Sequence, residues 1–208
     1  SWSCARGQKL EQDQSGPRVI RDLDSLWGYD CLSLRELVQV TVGNALLMFA
    51  IIIIVELILV DGFAILEHPA EPLHDPLAAS IWRLPILRAL LGLSNVQVLR
   101  IAQGLMGAAS PKPTNLLAVN IPELLSIIHA NRVRVELPMN ASIGKGQDGK
   151  WKTTALKEYA PALCKSFAQA LIQAVNAVPV DAQCKEPTPN ELAQYQAMVI
   201  NHYGEVIG

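Results

Sequence analysis

Residues 34–178 predict an α/β fold, a sheet with flanking helices, and three observations predict it. Half of the 208 residues are hydrophobic and 17% are charged, a composition that builds a core and excludes a disordered chain. Helix-type and strand-type patterns alternate along the chain, which suits a mixed layered domain. One short apolar run, Phe63-Ala64-Ile65-Leu66, ends in Glu67-His68-Pro69. That is the layout of a buried strand with polar residues just beyond its carboxyl end, where open α/β sheets bind ligands.

The elements follow in order. Residues 1–30 are polar, with turn formers at Gly16-Pro17 and Gly28, and read as a loop-rich lead-in. Ser33-Leu34-Arg35-Glu36 has capping-box spacing, so a helix starts at Leu34. Ala45 to Val60 is apolar except for Glu56, and Asp61-Gly62 ends the helix, with glycine suited to the left-handed position. Pro69, Pro72 and Pro76 mark a loop; Ser80 to Leu91 reads as a helix interrupted at Pro85. Val96 to Ala102 is a strand, residues 104–113 a turn-rich stretch, and Asn115 to Asn120 another strand. Pro122 to Ala130 is a helix with proline in its first turn. Ser142 to Lys152 is a Gly/Lys loop with a hairpin signal at Asp148-Gly149. Thr154 to Val178 is helical, with Pro161 splitting off its start, and a last helix covers Pro189 to Ile200. The organisation is thus one partial domain over 1–178 and a tail over 179–208.

Charge and cysteine usage narrow the function classes. Seventeen basic and nineteen acidic residues leave a net charge of −2, which does not advertise a nucleic-acid binder. Cys4, Cys31, Cys164 and Cys184 form no C-x-x-C pair and do not resemble a small disulfide scaffold, so they read as scattered free thiols, Cys164 buried on its helix. His68 and His74 with Glu67, Glu71 and Asp75 make a local His/carboxylate cluster, but the prolines among them favour a solvated loop over a metal site. Trp82, at helical spacing from Ile86 and Ala89, reads as core. The chain starts at serine without a signal-peptide layout and reads as a piece of a longer protein.

Ala45 to Leu66 admits two readings. It is long enough to cross a bilayer, which takes about 20 apolar residues, and Glu56 alone does not outweigh the apolar sum. Against a span stand Asp61, Gly62 and the strand pattern that follows. A buried helix plus strand is the favoured reading; a single-pass anchor over 45–66 is the alternative, which would place the chain at a membrane.

A spaced series of short motifs runs through the same region: Leu66-Glu67-His68-Pro69, Ser80-Ile81-Trp82-Arg83-Leu84-Pro85, Gln103-Gly104-Leu105-Met106-Gly107, and Lys112-Pro113-Thr114-Asn115-Leu116-Leu117. The series resembles the second half of the cytosine-5 DNA methyltransferase-like domains of mobile elements and many eukaryotic reading frames. In those a strand ends in Glu-Asn-Val or Glu-Asn-Pro, a Ser-x-x-Trp helix and a strand follow, and Lys-Pro-Thr enters an antiparallel strand after a Gly turn. Ser1-Trp2-Ser3 resembles the tail of the family's Pro-Cys-x-x-(Phe/Trp)-Ser loop, and Thr154-Ala155-Leu156-Lys157-Glu158-Tyr159 also recurs there. The resemblance covers roughly residues 1–165, and the order of degenerate motifs carries it.

The resemblance implies an incomplete class I methyltransferase-like (Rossmann-like) sheet. It implies that Glu67 is the base-binding carboxyl group near ring nitrogen 3 of a flipped cytosine. It also implies departures. The nucleophilic cysteine and the Gly-rich cradle for S-adenosylmethionine would both lie before Ser1, His68 replaces the usual asparagine, and Gln-x-Arg-x-Arg has no good counterpart. The expectation is therefore a truncated or degenerate module, inactive alone and needing no cofactor, whose complete parent would use S-adenosylmethionine and DNA in the nucleus. His68, Lys112 and Thr114 are substrate-side candidates; Lys145, Lys150 and Lys152 are candidates for the DNA backbone, against a solvated hairpin. An exposed half-sheet would also favour self-association, and a non-catalytic interaction module is the remaining reading.

Overall fold

A computed structural model describes residues 19–71, 75–108, 110–133, 159–179, 188–194 and 197. Two units share these residues, one drawn from 1–56, 71–92 and 187–208, the other from 57–70 and 93–186.

The capping box is formed. The Ser33 backbone N–H donates to Glu36 Oε2 at 2.8 Å, the Ser33 hydroxyl donates to the same oxygen at 2.7 Å, and the Glu36 N–H donates back to Ser33 Oγ at 3.4 Å. Helix α1 runs from there over Leu34–Leu59. Its end departs from expectation: Asp61, not Gly62, takes the left-handed conformation, at φ +52°. Gly62 has a different task. Its N–H donates to Leu57 O at 2.7 Å, and a Cβ there would stand 3.2 Å from that carbonyl oxygen and 2.9 Å from Leu57 Cδ2, so a larger residue would fit tightly.

In the first unit, the segment after residue 19 lies on α1. Asn44 Nδ2 donates to Trp27 O at 2.8 Å, and a Cβ on Gly28, which sits at φ +116°, would meet Val40 Cγ1 at 2.6 Å. The Arg21 guanidinium lies near Gly43, and burial lowers its pKa. One face of α1 buries Val40, Asn44, Met48, Ile51 and Val55; Val38, Val42, Leu46, Phe49 and Ile53 on another face are 42–65% exposed. The helix expected from Ser80 to Leu91 is divided at Pro85: a 3-10 turn over Ile81–Arg83 and then α2 over Pro85–Leu90. Leu84 is extended at ψ 132°, as a residue before proline must be. Trp82 is buried as expected, and Arg83 bridges Glu71 and donates to Pro76 O. Residues 189–194 are helical, and the Thr188 hydroxyl donates to Glu191 Oε2 at 2.7 Å in a second capping box.

Among its described residues the second unit holds three strands and two helices: β1 over Ala64–Pro69, β2 over Val96–Ala102, β3 over Pro113–Val119, α3 over Leu124–Ala130 and α4 over Pro161–Asn176. The order across the sheet is β1-β3-β2, and β3 is antiparallel to both neighbours. The outer strands therefore run parallel to each other with β3 between them. This is a small antiparallel sheet with helices, an α/β mix. Register puts Glu67 opposite Leu116 and Leu99 opposite the same residue, so these side chains share one face; Ile65 and Ala118 share it too. That face carries the core: Leu99, Ile101, Leu116 and Ala118 pack with Leu124 and Ile128 of α3 and Leu163 and Ala170 of α4. Asn131 Nδ2 donates to Gln169 Oε1 at 2.7 Å and ties the end of α3 to α4. β1 is half-buried along its length rather than fully buried and runs three residues past the expected apolar run, through Pro69.

Two thiol expectations are corrected. Cys31 is disulfide-bonded, so the thiols are not all free. Cys164 is free but exposed, because it lies on the side of α4 away from Leu163, Ser166 and Ala170.

Candidate ligand site at the carboxyl end of β1

Strand β1 places Glu67 near its carboxyl end on the core face, in the same row as Leu116 and Leu99. Its side chain is 14% exposed, and three donors surround it. Gln103, the first residue after β2 and fully buried, donates from Nε2 to Glu67 Oε1 at 2.9 Å. Lys112 Nζ stands 3.6 Å from the same oxygen. The Tyr159 hydroxyl donates to Glu67 Oε2 at 2.9 Å. Each carboxylate oxygen is therefore engaged, and Glu67 is set as an acceptor.

The turn between β2 and β3 positions the donors. Gly107 sits at φ +94° and ends a 3-10 turn over Gln103–Met106. Lys112 holds φ +32°, uncommon for a residue with a Cβ, and its carbonyl is engaged twice: by the Gln103 N–H at 3.3 Å and the Thr114 hydroxyl at 3.0 Å. Gln103 Nε2 also donates to Thr114 Oγ1 at 2.9 Å. With both amide hydrogens committed, Gln103 Oε1 is a buried acceptor without a protein partner. Tyr159 comes from the residues just before α4; its neighbour Ala160 is buried while Tyr159 is 46% exposed. The Lys112 ammonium lies 5.5 Å from the Tyr159 ring centroid, within cation–π range. Burial, then the hydrogen bond to Glu67 and the charges of Glu67 and Cys164, push the Tyr159 pKa up to about 12, so the phenol is a neutral donor at physiological pH.

The sequence candidates divide sharply here. Glu67, Lys112 and Thr114 meet in one cluster. His68 does not join them: strand alternation puts it on the opposite face, in register with Asn115, and its Nδ1 lies 3.3 Å from Pro69 O. Lys145, Lys150, Lys152 and His74 lie outside the described residues. Among the described residues no group of three or more His, Cys, Asp or Glu could hold a metal. Gln103 and Tyr159, which the sequence offers only within motifs and not as site candidates, complete the cluster. Gln103 carries a weak signal, a polar residue closing an apolar strand before glycine; Tyr159 carries none in spacing, since its contact spans 92 residues of chain.

At the opposite end of the sheet, residues 94–97 and 120–122 line a cleft of about 360 Å³. Two of its polar side chains are engaged within the chain. Asn120, at φ +56°, donates from Nδ2 to Gly62 O at 2.7 Å, and Gln97 Nε2 donates to Ile121 O at 2.6 Å.

A scan of family models, a search of curated proteins and a search of solved structures each found no match to this chain.

Proposed function

We propose that this chain is a degenerate DNA cytosine-5 methyltransferase-like module that binds a nucleobase at Glu67 and does not transfer a methyl group by itself. The observation that carries the reading is the Glu67 carboxylate, held at the carboxyl end of β1 by Gln103, Lys112 and Tyr159. An incomplete class I methyltransferase-like sheet is the finer fold that goes with it. In its favour, the strand entered from Lys112-Pro113-Thr114 is antiparallel, as the resemblance requires, and lies between two strands that run parallel to each other.

The chemistry for transfer does not fit the described residues. No described Gly-rich turn leads from a strand into a helix with its amides free for S-adenosylmethionine: the Gly104 N–H donates to Pro111 O and the Gly107 N–H to Gly104 O. No described cysteine offers a nucleophile placed as the family has it, Cys31 being bonded and Cys164 lying on α4. Binding without methylation is the consequence. The test is anisotropy of a labelled duplex carrying one unpaired cytosine, with Glu67→Ala as control, alongside a tritiated methyl-transfer assay. Saturable binding lost in Glu67→Ala, with no label transferred, is expected; methyl transfer by this chain, or binding indifferent to Glu67, would overturn it.

A second reading rests on α1, the helix among the described residues long and apolar enough to cross a membrane. Its exposed face repeats at helical spacing through Val38, Val42, Leu46, Phe49 and Ile53. Arg21 beside Gly43 and Trp27 bonded to Asn44 weigh against a full span, because both would enter the apolar phase with the helix. Alkaline carbonate extraction separates the readings: retention in the membrane pellet supports the anchor, and release as folded protein removes it.

A further inference from the structure

Helix α1 turns a second apolar face to solvent. Val38, Val42, Leu46, Phe49 and Ile53 are exposed on it, with Ala45 among them. At about 100° per residue, Arg35 and Glu56 fall on the same stripe at its two ends, and both are exposed. All of these residues belong to the first unit. Among the described residues neither charge has an ion-pair partner. Each also sits against its own helix dipole: Arg35 lies in the first turn, the positive end, and Glu56 in the last, the negative end.

The stripe is symmetric about its middle. From Arg35 to Glu56 its steps along the chain are 3, 4, 3, 1, 3, 4 and 3 residues, the same from either end. Steps of three and four are those of a seam between two packed helices. A second α1, laid antiparallel across a twofold axis between Ala45 and Leu46, pairs Val38 with Ile53, Val42 with Phe49 and Ala45 with Leu46 of the other copy. The same operation sets each Arg35 opposite a Glu56 and beside the negative end of the other helix. The five large apolar side chains expose roughly 500 Å² per copy, and Ala45 with the stems of the two charged residues carries the stripe toward the ~800 Å² per partner of a stable dimer. A bilayer would have no use for that symmetry, and the opposite face of α1 is already bonded through Asn44 to Trp27 O.

We infer that the chain forms a twofold homodimer through α1, packed antiparallel on its own copy, with Arg35 and Glu56 closing both ends of the seam. The inference is independent of base binding at Glu67 and gives the apolar face of α1 an occupant other than lipid.

Sedimentation equilibrium of the whole 208-residue, 22.6 kDa chain reads the oligomeric state. The substituted side chains are all exposed, and thermal melts confirm that each variant is folded. The parent is expected at twice the chain mass and Phe49→Glu at the single mass. Arg35→Glu sets two acidic groups against each other at both ends of the seam and is expected to weaken the dimer about tenfold. Arg35→Glu combined with Glu56→Arg is expected to return the affinity to within about threefold of the parent. A parallel pair would set Arg35 against Arg35 and show no such rescue. A monomeric parent, a dimer indifferent to Phe49→Glu, or a charge reversal without rescue would overturn the inference. Flotation of the parent with phosphatidylcholine vesicles, abolished by Phe49→Glu, would also overturn it and assign the face to a bilayer.

Discussion

The two ends of the three-stranded sheet differ in what they do with their polar side chains. At the end where β2 begins and β3 finishes, a cleft of about 360 Å³ opens, yet Asn120 and Gln97 donate to backbone carbonyls of neighbouring loops. Those residues hold loops in place. At the other end a carboxylate, an ammonium, a phenol and a buried amide converge, and one amide oxygen is left over. Unspent hydrogen-bonding capacity chooses the second, where β1 and β2 both end.

The largest expected effect in a stability comparison lies at the second end. Gln103→Met removes two hydrogen bonds from a fully buried position and deprives Glu67 of its closest inward donor. A loss of about 1–3 kcal/mol in urea unfolding is expected; a loss under about 0.5 kcal/mol would mean that the network is slack. At the cleft end, Asn120→Ala loses the bond to Gly62 O and puts a Cβ-bearing residue without a polar side chain at φ +56°. About 1–2 kcal/mol is expected, and Asn120→Gly should recover part of it by relieving the backbone while leaving the hydrogen bond lost. Equal losses in both variants would show that the side-chain bond alone matters.

Smaller effects sharpen the contrast. Lys112→Gly relieves a left-handed residue at φ +32° but removes the ion pair and the contact with the Tyr159 ring. The two changes oppose each other, and a net shift within about 1 kcal/mol is expected. Tyr159→Phe should cost least, under about 1 kcal/mol, because the phenol is 46% exposed. Its signature is in alkali. The folded pKa is raised from the ordinary 10.0 to about 12, so between those values the folded chain keeps a proton that the unfolded chain has lost. The stability this contributes is full below pH 10 and is lost as pH rises through about 12. Urea midpoints across that window should fall more steeply for the parent than for Tyr159→Phe, and tyrosinate absorbance should show a late-titrating tyrosine that Tyr159→Phe removes.

Local signals were legible in the sequence and distant ones were not. The Ser33/Glu36 box, the Val96–Ala102 strand and the break before Pro85 rest on residues a few positions apart, and each formed as read. Glu67 was legible because strand ends and carboxylates can both be read locally. His68 was misplaced beside it because adjacent residues of a strand face opposite ways, a consequence of β1 continuing through Pro69 rather than stopping at Leu66. Gln103 and Tyr159 reach Glu67 across 36 and 92 residues, and nothing in local spacing encodes such contacts. The Cys31 disulfide escaped for a related reason, since connectivity does not follow from sparse cysteines.

The most direct test of the proposed role of the Glu67 end is amide chemical-shift mapping as oligo-dC is added to the chain. The account predicts that the largest shifts fall at Glu67, Gln103, Lys112, Thr114 and Tyr159, with residues 94–97 and 120–122 unmoved. Shifts concentrated around the cleft instead, with the Glu67 cluster silent, would contradict it.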